Sequence, residues 1–480
     1  MKLPTHKTKI VCTIGPASRS EAVLEKLIGQ GMNVARLNFA HGTLEGHEED
    51  IRRIRAVASK LQRYCLIMVD LPGPKIRIGK LMDEPVLLEN GDVVILTTKD
   101  ISGTAGRLPV DYKRLPESVS PGSLIFLNDG FIQLQVENIS ADEVICRTII
   151  GGQLLSRKGL NLPDVKIFTD AVSDRDLDFV DFALREGIDV FGVSFTETAD
   201  DIIKVREFAE KRDKSIYVVA KIERAEAIKN IDGILDAADA IMIARGDLGV
   251  QIPIEDVPAV QKTLIHKANL LGRPVITATQ MLVSMTENIR PTRAEVSDVA
   301  NAILDGTDAV MLSEETAIGR YPVEAVEMMA KIATSVERKW EAIRALSDLP
   351  AYFKKGAVYG KTTVEDIVSL NAVEAVQALK IHYIMIPSQS GSTPRLISRF
   401  KPDCWILSFG GNEKTNNLLT LSYGVCPIFM ENKTDRWLDM IMKFMDNSGL
   451  AQRDDRLILV EGVSTGQMNG ADSLKIITLR

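Results

Sequence analysis

The chain has no paired cysteines, no long apolar run, no basic excess and no low-complexity tract, and each absence removes a class of protein. Its five cysteines (Cys12, Cys65, Cys146, Cys404 and Cys426) are odd in number, widely spaced and free of any CxxC. That pattern argues against a disulfide framework or a cysteine zinc site and predicts reduced, mostly buried thiols. No stretch reaches transmembrane length, and the opening MKLPTHKTKIVCTIGPAS lacks the apolar segment of a signal peptide, so the expected location is the cytoplasm. A formal net charge of −7 excludes a broad surface for nucleic acid or anionic membrane, but not a local basic pocket. Only one of the five histidines, His41, stands at the end of a strand-like run, which leaves little basis for a phosphohistidine intermediate.

What is present is an ordinary globular composition, 45% apolar and 26% charged, spread over 480 residues. That length is too great for one core and predicts several domains. Eight short apolar runs recur with helical segments between them: KIVCTIGP (9–16), NVARLNFAHG (33–42), YCLIMVDLPG (64–73), DVFGVSF (189–195), IYVVAKIE (216–223), AIMIARGDLG (240–249), PVITATQM (274–281) and AVMLSEET (309–316). Strands alternating with helices imply parallel pairing, and eight units predict a (β/α)8 barrel of the TIM type. The long gap after the third run contains strands and Gly, Asn and Asp turns, so an all-β domain is expected there as an insertion. After the eighth unit, a helix over 322–346 closes the barrel and SDLPAYFKKGAVYGKTT reads as a linker. The remainder alternates again and predicts a separate open α/β domain. The expected division is 1–73 with 166–346 for the barrel, 74–165 for the insertion and 347–480 for the last domain.

In such a barrel the functional face is the C-terminal end of the strands. Here those ends carry Arg36, Asn38 and His41; Asp70; Ser194; Lys221 and Glu223; Arg245 and Asp247; Thr279 and Gln280; Ser313 and Glu314. A lone Asp or Ser at a strand end is an ordinary turn or cap residue, but capping does not account for Arg36, Lys221 and Arg245 beside Glu223 and Asp247. Lys221 and Glu223 lie two apart on one strand and therefore point the same way. Two carboxylates without a neighbouring His or Cys pair suit a hard cation such as Mg2+. The added positive charge of Lys221 and Arg36 calls for a phosphorylated substrate. The glycine of ARGDLG allows backbone N–H groups to approach an anion closely.

These motifs resemble the pyruvate kinase family over almost the whole chain, in the family's order: TKIVCTIGPAS, NVARLNFAHG, DLPGPKIRIG, KGLNLP, AKIERAEAI, MIARGDLGV, VITATQML and PTRAEVSDVANAILDGTDAVMLSEETAIGRYPVEAV. The resemblance implies a barrel, a small β-barrel lid inserted after strand three and a C-terminal α/β domain of regulatory type. It also implies phosphoryl transfer from phosphoenolpyruvate to ADP, giving pyruvate and ATP, with Mg2+ or Mn2+, in a cytoplasmic homotetramer. By resemblance Lys221 stabilises the transition state and Arg36 contacts the transferred phosphate. Glu223 and Asp247 hold the divalent cation, while Gly246, Asp247 and Thr279 form the carboxylate-binding region. Arg77 and Lys158, with Asn38 and His41, correspond to the nucleotide site, and Thr279 and Ser313 to the relay that protonates the enolate.

Two departures stand out. K+-dependent members carry NFSHG and an Asp-Thr pair before GPEIR, where this chain has NFAHG and DLPGPKIR. Ala40 and Leu71 cannot coordinate a cation through their side chains. The expectation is therefore no K+ requirement, with the Lys75 ammonium in place of K+ beside the vestigial ligands Asn38 and Asp70. Glu314, in SEETA, has no role assigned. In the last domain SQSGSTPR, with Ser388, Ser390, Gly391 and Thr393, resembles the family's sugar-phosphate effector site, joined by the later EGVSTGQMNGAD (461–472). Another barrel enzyme of phosphoenolpyruvate or pyruvate would need neither the lid nor Lys158. A non-catalytic relative would have lost one of Lys221, Glu223, Asp247 or Arg36.

Overall fold

Eight parallel strands close on one another in sequence order: Lys9–Thr13, Met32–Asn38, Leu66–Leu71, Val190–Val193, Tyr217–Ile222, Ala240–Ala244, Val275–Ala278 and Ala309–Leu312. The computed structural model describes residues 3–163, 165, 170–339, 349, 353, 362–430, 437–462 and 471–479. All eight strands lie within, or one residue before, the runs picked out by apolar character. Buried on both faces, they need no polar alternation along most of their length.

The period of two nevertheless sorts their side chains. Ile10, Val69, Val218, Ile241 and Val310 face outward and share a core with the surrounding helices. Val34, Met68, Val190, Val219, Met242 and Met311 face the bore and share a second core. Two residues further along the same inward faces come Arg36, Asp70, Gly192 and Lys221. The strands thus turn from apolar to charged within one step of the pleat.

The insertion is mainly β, as expected, with one short helix, Leu115–Ser118, and its own core. Six strands are ordered Leu160–Asn161, Leu124–Leu127, Ile132–Ile139, Glu143–Ile150, Val93–Thr97 and Arg107–Pro109. Residues 76–79 join the two edges. Leu160 N–H donates to Ile76 O at 2.9 Å and Ile78 N–H to Lys158 O at 3.0 Å on one side; Gly79 N–H donates to Pro109 O at 2.8 Å on the other. The small barrel is therefore completed by a segment that does not read as a strand in the sequence.

The last domain is a five-stranded sheet ordered Val425–Phe429, Trp405–Gly410, Tyr383–Pro387, Arg456–Glu461 and Ser473–Thr478. The first four are parallel and the last is antiparallel. This final strand and the helix Glu413–Leu419 are additions to the sequence reading. The closing barrel helix runs Pro322–Glu337. Residues 340–346 of its expected span, nearly all of the expected linker and residues 463–470 of the expected effector motif lie outside the described residues.

The last domain forms the barrel's floor. Leu421, fully buried, joins the bore's apolar core, with Leu418 packed against it. Asp308, just before strand eight, receives Lys401 Nζ at 2.8 Å and Tyr423 N–H at 3.0 Å on one oxygen, and Val275 N–H at 3.0 Å on the other. Lys9 Nζ donates to Val425 O at 2.7 Å, and burial pulls its ammonium down to about 8. Burial likewise pushes the thiols of Cys65 and Cys146 up to about 12 and that of Cys426 to about 11, so none is an activated nucleophile. Among the described residues no helix is long and apolar enough to cross a membrane.

Candidate active site

Asp70 is the hub of the barrel mouth. Strand register places Asn38 on one side of it and Gly192 on the other. Its Oδ2 accepts Arg36 Nε at 2.6 Å and also pairs with the same guanidinium's terminal nitrogen. Its Oδ1 lies 3.2 Å from Lys221 Nζ. Burial works against the Asp70 carboxylate, but Arg36 and Lys221 outweigh it and hold its carboxyl below the usual range. Gly192 makes room for this cluster: a Cβ there would sit 3.2 Å from Asp70 Oδ1 and 3.6 Å from Lys221 Cδ.

Lys221 is 8% exposed and held from three directions. Its Nζ lies 2.9 Å from Glu223 Oε1 and donates to Ser194 Oγ at 2.6 Å, in addition to Asp70. Burial opposes its charge, yet Asp70 and Glu223 raise it above the ordinary lysine value, so it is an ammonium at neutral pH. Ser194 donates onward to Leu71 O at 2.6 Å. Arg36 is steadied by a hydrogen bond to Thr13 Oγ1 at 2.8 Å. Thr13, Phe195 and Gly192 were not singled out from sequence; Thr13 and Gly192 lie on inward strand faces adjoining Asp70 or Arg36, which is the signal that could have found them.

Glu223 differs from Asp70. Its other oxygen accepts Phe195 N–H at 2.8 Å, but burial, and then repulsion from Asp247 and Asp70, push its carboxyl up despite Lys221. Each of the two carboxylates has one ammonium neighbour and repulsion from the other, and Glu223 with Asp247 therefore fits a hard divalent cation that would complete its shell with water and substrate oxygens. No cluster of three or more His, Cys, Asp or Glu ligands occurs among the described residues, so a fully protein-made cage is not what this site offers.

Asp247 lies in the short helix Arg245–Gln251 and pairs with Lys75 Nζ at 2.9 Å. Here the structure departs from the expectation that Lys75 stands with Asn38 and Asp70. Asp70 already has two cations, whereas Asp247 has no ion pair other than Lys75 among the described residues, and Asn38 Oδ1 accepts Ala40 N–H at 3.1 Å. Gly246 N–H donates to Thr279 Oγ1 at 2.8 Å, and that hydroxyl donates to Ala278 O at 2.6 Å. Arg245 points away from the mouth. It grips Asp298 at 2.7 Å and Thr279 O at 2.8 Å, bracing a turn in which Thr279 and Gln280 hold φ values of 65° and 53°. Such left-handed backbone at non-glycine residues concentrates at functional sites.

Ser313 Oγ is buried without a hydrogen-bond partner, while its N–H donates to Glu315 Oε2 at 2.7 Å. Glu315, fully enclosed, also accepts Leu282 N–H at 3.0 Å; the neighbouring Glu314 is exposed. Partial burial, then the charges of Arg77, Arg36 and Lys75, pull His41 below its ordinary value. Arg77 donates to Arg157 O at 3.0 Å, and Arg77 and Lys158 are half-buried.

The loop with Ser388, Ser390 and Gly391 precedes the helix Ser392–Ser398, whose first turn holds Thr393. Ser388 Oγ accepts Gly391 N–H at 3.0 Å and Ser390 Oγ accepts Ser392 N–H at 3.4 Å. Two of the donors expected to meet a phosphate are thus taken by the loop's own serines.

Comparison with known proteins gives a concordant result. Residues 5–326 match the family described as "Pyruvate kinase, barrel domain", and 366–477 match "Pyruvate kinase, alpha/beta domain". A protein of Thermococcus litoralis named pyruvate kinase is 49% identical over 480 residues, covering 100% of both chains. Those of Staphylococcus epidermidis and Geobacillus stearothermophilus, with the same name, are each 42% identical, covering 98% of this chain and 80% of their own.

Proposed function

This chain belongs to the pyruvate kinase family, and from that premise we propose how its barrel mouth transfers the phosphoryl group of phosphoenolpyruvate to ADP, giving pyruvate and ATP. The observation that carries the reading is the buried Lys221 ammonium, bracketed by Asp70 and Glu223 at 3.2 and 2.9 Å. Held there at no reorganisation cost, it faces the phosphoryl oxygens as charge builds on them, and a preorganised contact of this kind contributes about 3–4 kcal/mol to catalysis. Arg36, fixed by Asp70 and Thr13, grips the same phosphate before transfer.

Glu223 and Asp247 would hold Mg2+, or Mn2+ in its stead, which supplies the charge neutralisation that lets phosphate oxygens from two anions approach. Gly246, Asp247 and Thr279 receive the substrate carboxylate. Arg77 and Lys158 bind the nucleotide phosphates with Asn38 and His41, and closing the inserted domain over them excludes water. The enolate left behind takes a proton at its methylene carbon. The unpartnered Ser313 hydroxyl, with Thr279, supports a relay there.

The same reading extends to an enzyme that works without K+, because Lys75 brings a fixed monovalent charge to the mouth. It also extends to a cytoplasmic homotetramer and to a phosphorylated effector at Ser388, Ser390, Gly391 and Thr393. The division into 1–73 with 166–346, 74–165 and 347–480 is supported by the sheet each strand joins. A lactate-dehydrogenase-coupled assay with each nucleoside diphosphate, Mg2+, and Na+ or tetramethylammonium replacing K+ tests these points. Turnover with ADP in the absence of K+ is expected. A strict K+ requirement overturns the role of Lys75, and no turnover with any diphosphate overturns the whole.

A further inference from the structure

We propose that Lys75 is a displaceable counter-ion: in the metal-free protein its ammonium holds the place at Asp247 that a divalent cation takes, and cation binding drives it off and loosens the hinge of the inserted domain. The inference rests on the reading above that Glu223 and Asp247 bind the cation. Asp247 Oδ1 and Lys75 Nζ are 2.9 Å apart, with 27% and 22% of the lysine and aspartate side chains exposed. By contrast, the Lys221 side chain is 9% exposed and has three partners. The first pair is open to exchange with solvent ions; the second is not. An ammonium and a divalent ion sharing one carboxylate repel each other at short range, and of the two lysines only the more exposed Lys75 has solvent to move into.

The lysine is also threaded through the junction between barrel and insertion. Its N–H donates to Gly73 O at 3.0 Å, where Gly73 turns at φ 62° and its own N–H is tied to Asp176 Oδ1 at 3.1 Å. The side-chain stem lies against Gly159, where a Cβ would be 3.1 Å from Lys75 Cε. Gly159 is bridged to Arg77 and adjoins Lys158, so moving Lys75 off Asp247 changes the contact between the hinge and the segment that carries Lys158, just before the strand Leu160–Asn161. The released ammonium is then available as the monovalent charge of the mouth.

The test uses Mn2+ without substrates. Free Mn2+ is followed by electron paramagnetic resonance for wild type, Lys75→Met, Lys75→Arg and Glu223→Gln. In parallel, reductive methylation of Lys75 in the wild type is quantified with and without saturating Mn2+. Displacement predicts about fivefold tighter Mn2+ binding in Lys75→Met but not in Lys75→Arg, and faster methylation of Lys75 when Mn2+ is bound. Equal affinity in Lys75→Met and wild type, or methylation that Mn2+ leaves unchanged, overturns the proposal while leaving the metal site standing. Mn2+ binding insensitive to Glu223→Gln removes the site itself, and the proposal with it.

Discussion

The two ends of the barrel are made from the same eight strands and treat charge in opposite ways. At the floor, Leu421 fills the bore and Asp308 collects Lys401, Tyr423 N–H and Val275 N–H, one buried carboxylate matched to one buried ammonium and two amides. At the mouth, two cations crowd onto Asp70, while Glu223 and Asp247 repel each other with one ammonium apiece beside them. The carboxylate of the floor is matched by its partners, whereas the mouth sets carboxylate against carboxylate. A protein can keep an unbalanced cluster at one end of a barrel when the other end is closed by packing and matched charge, and the imbalance marks where a charged ligand completes the structure.

The comparison breaks most easily at the floor. Asp308→Asn leaves Lys401 buried without its counter-charge and is expected to cost about 3–5 kcal/mol of stability; Leu421→Ala, which opens a cavity at the base of the bore, about 2–5 kcal/mol. Urea unfolding measures both. The expected signature is a lowered midpoint with turnover of the folded protein within about twofold of wild type. Large losses of activity in folded protein would mean that the floor is tied to the chemistry and the contrast is wrong.

Gly192→Ala sharpens the contrast from the other side. Its Cβ would press on Asp70 Oδ1 at 3.2 Å, shifting that carboxylate, and the cations it holds, by a few tenths of an ångström. An approximately tenfold fall in turnover is expected from such a misplacement, with a smaller loss of stability than Leu421→Ala causes. Steady-state kinetics alongside thermal unfolding separates the two effects.

The mouth was more legible in the sequence than the floor, for a physical reason. Strands buried on both faces appear as continuous apolar runs, and a charged residue ending such a run, as Lys221 ends IYVVAK, is conspicuous. The floor is built from a residue such as Leu421 in LLTLSYG, which looks like any core leucine until the domain carrying it is docked. The pairing of Lys75 with Asp247 spans 172 positions in sequence and depends on Asp70 being already neutralised, which only the three-dimensional arrangement reveals. Arg245 stood out with Arg36 and Lys221 as a strand-end charge that capping does not explain, yet its guanidinium is taken by Asp298. The segment at 76–79 escaped notice because its pairing comes from both edges of a sheet that must form first.

The central claim is that the Lys221 ammonium acts on the phosphoryl group, and turnover of Lys221→Met in the coupled assay with phosphoenolpyruvate, ADP and Mg2+ tests it most directly. The account predicts a loss of about 10²–10³-fold in a variant whose far-ultraviolet circular dichroism matches wild type. A folded variant that retains turnover within about threefold of wild type would contradict it.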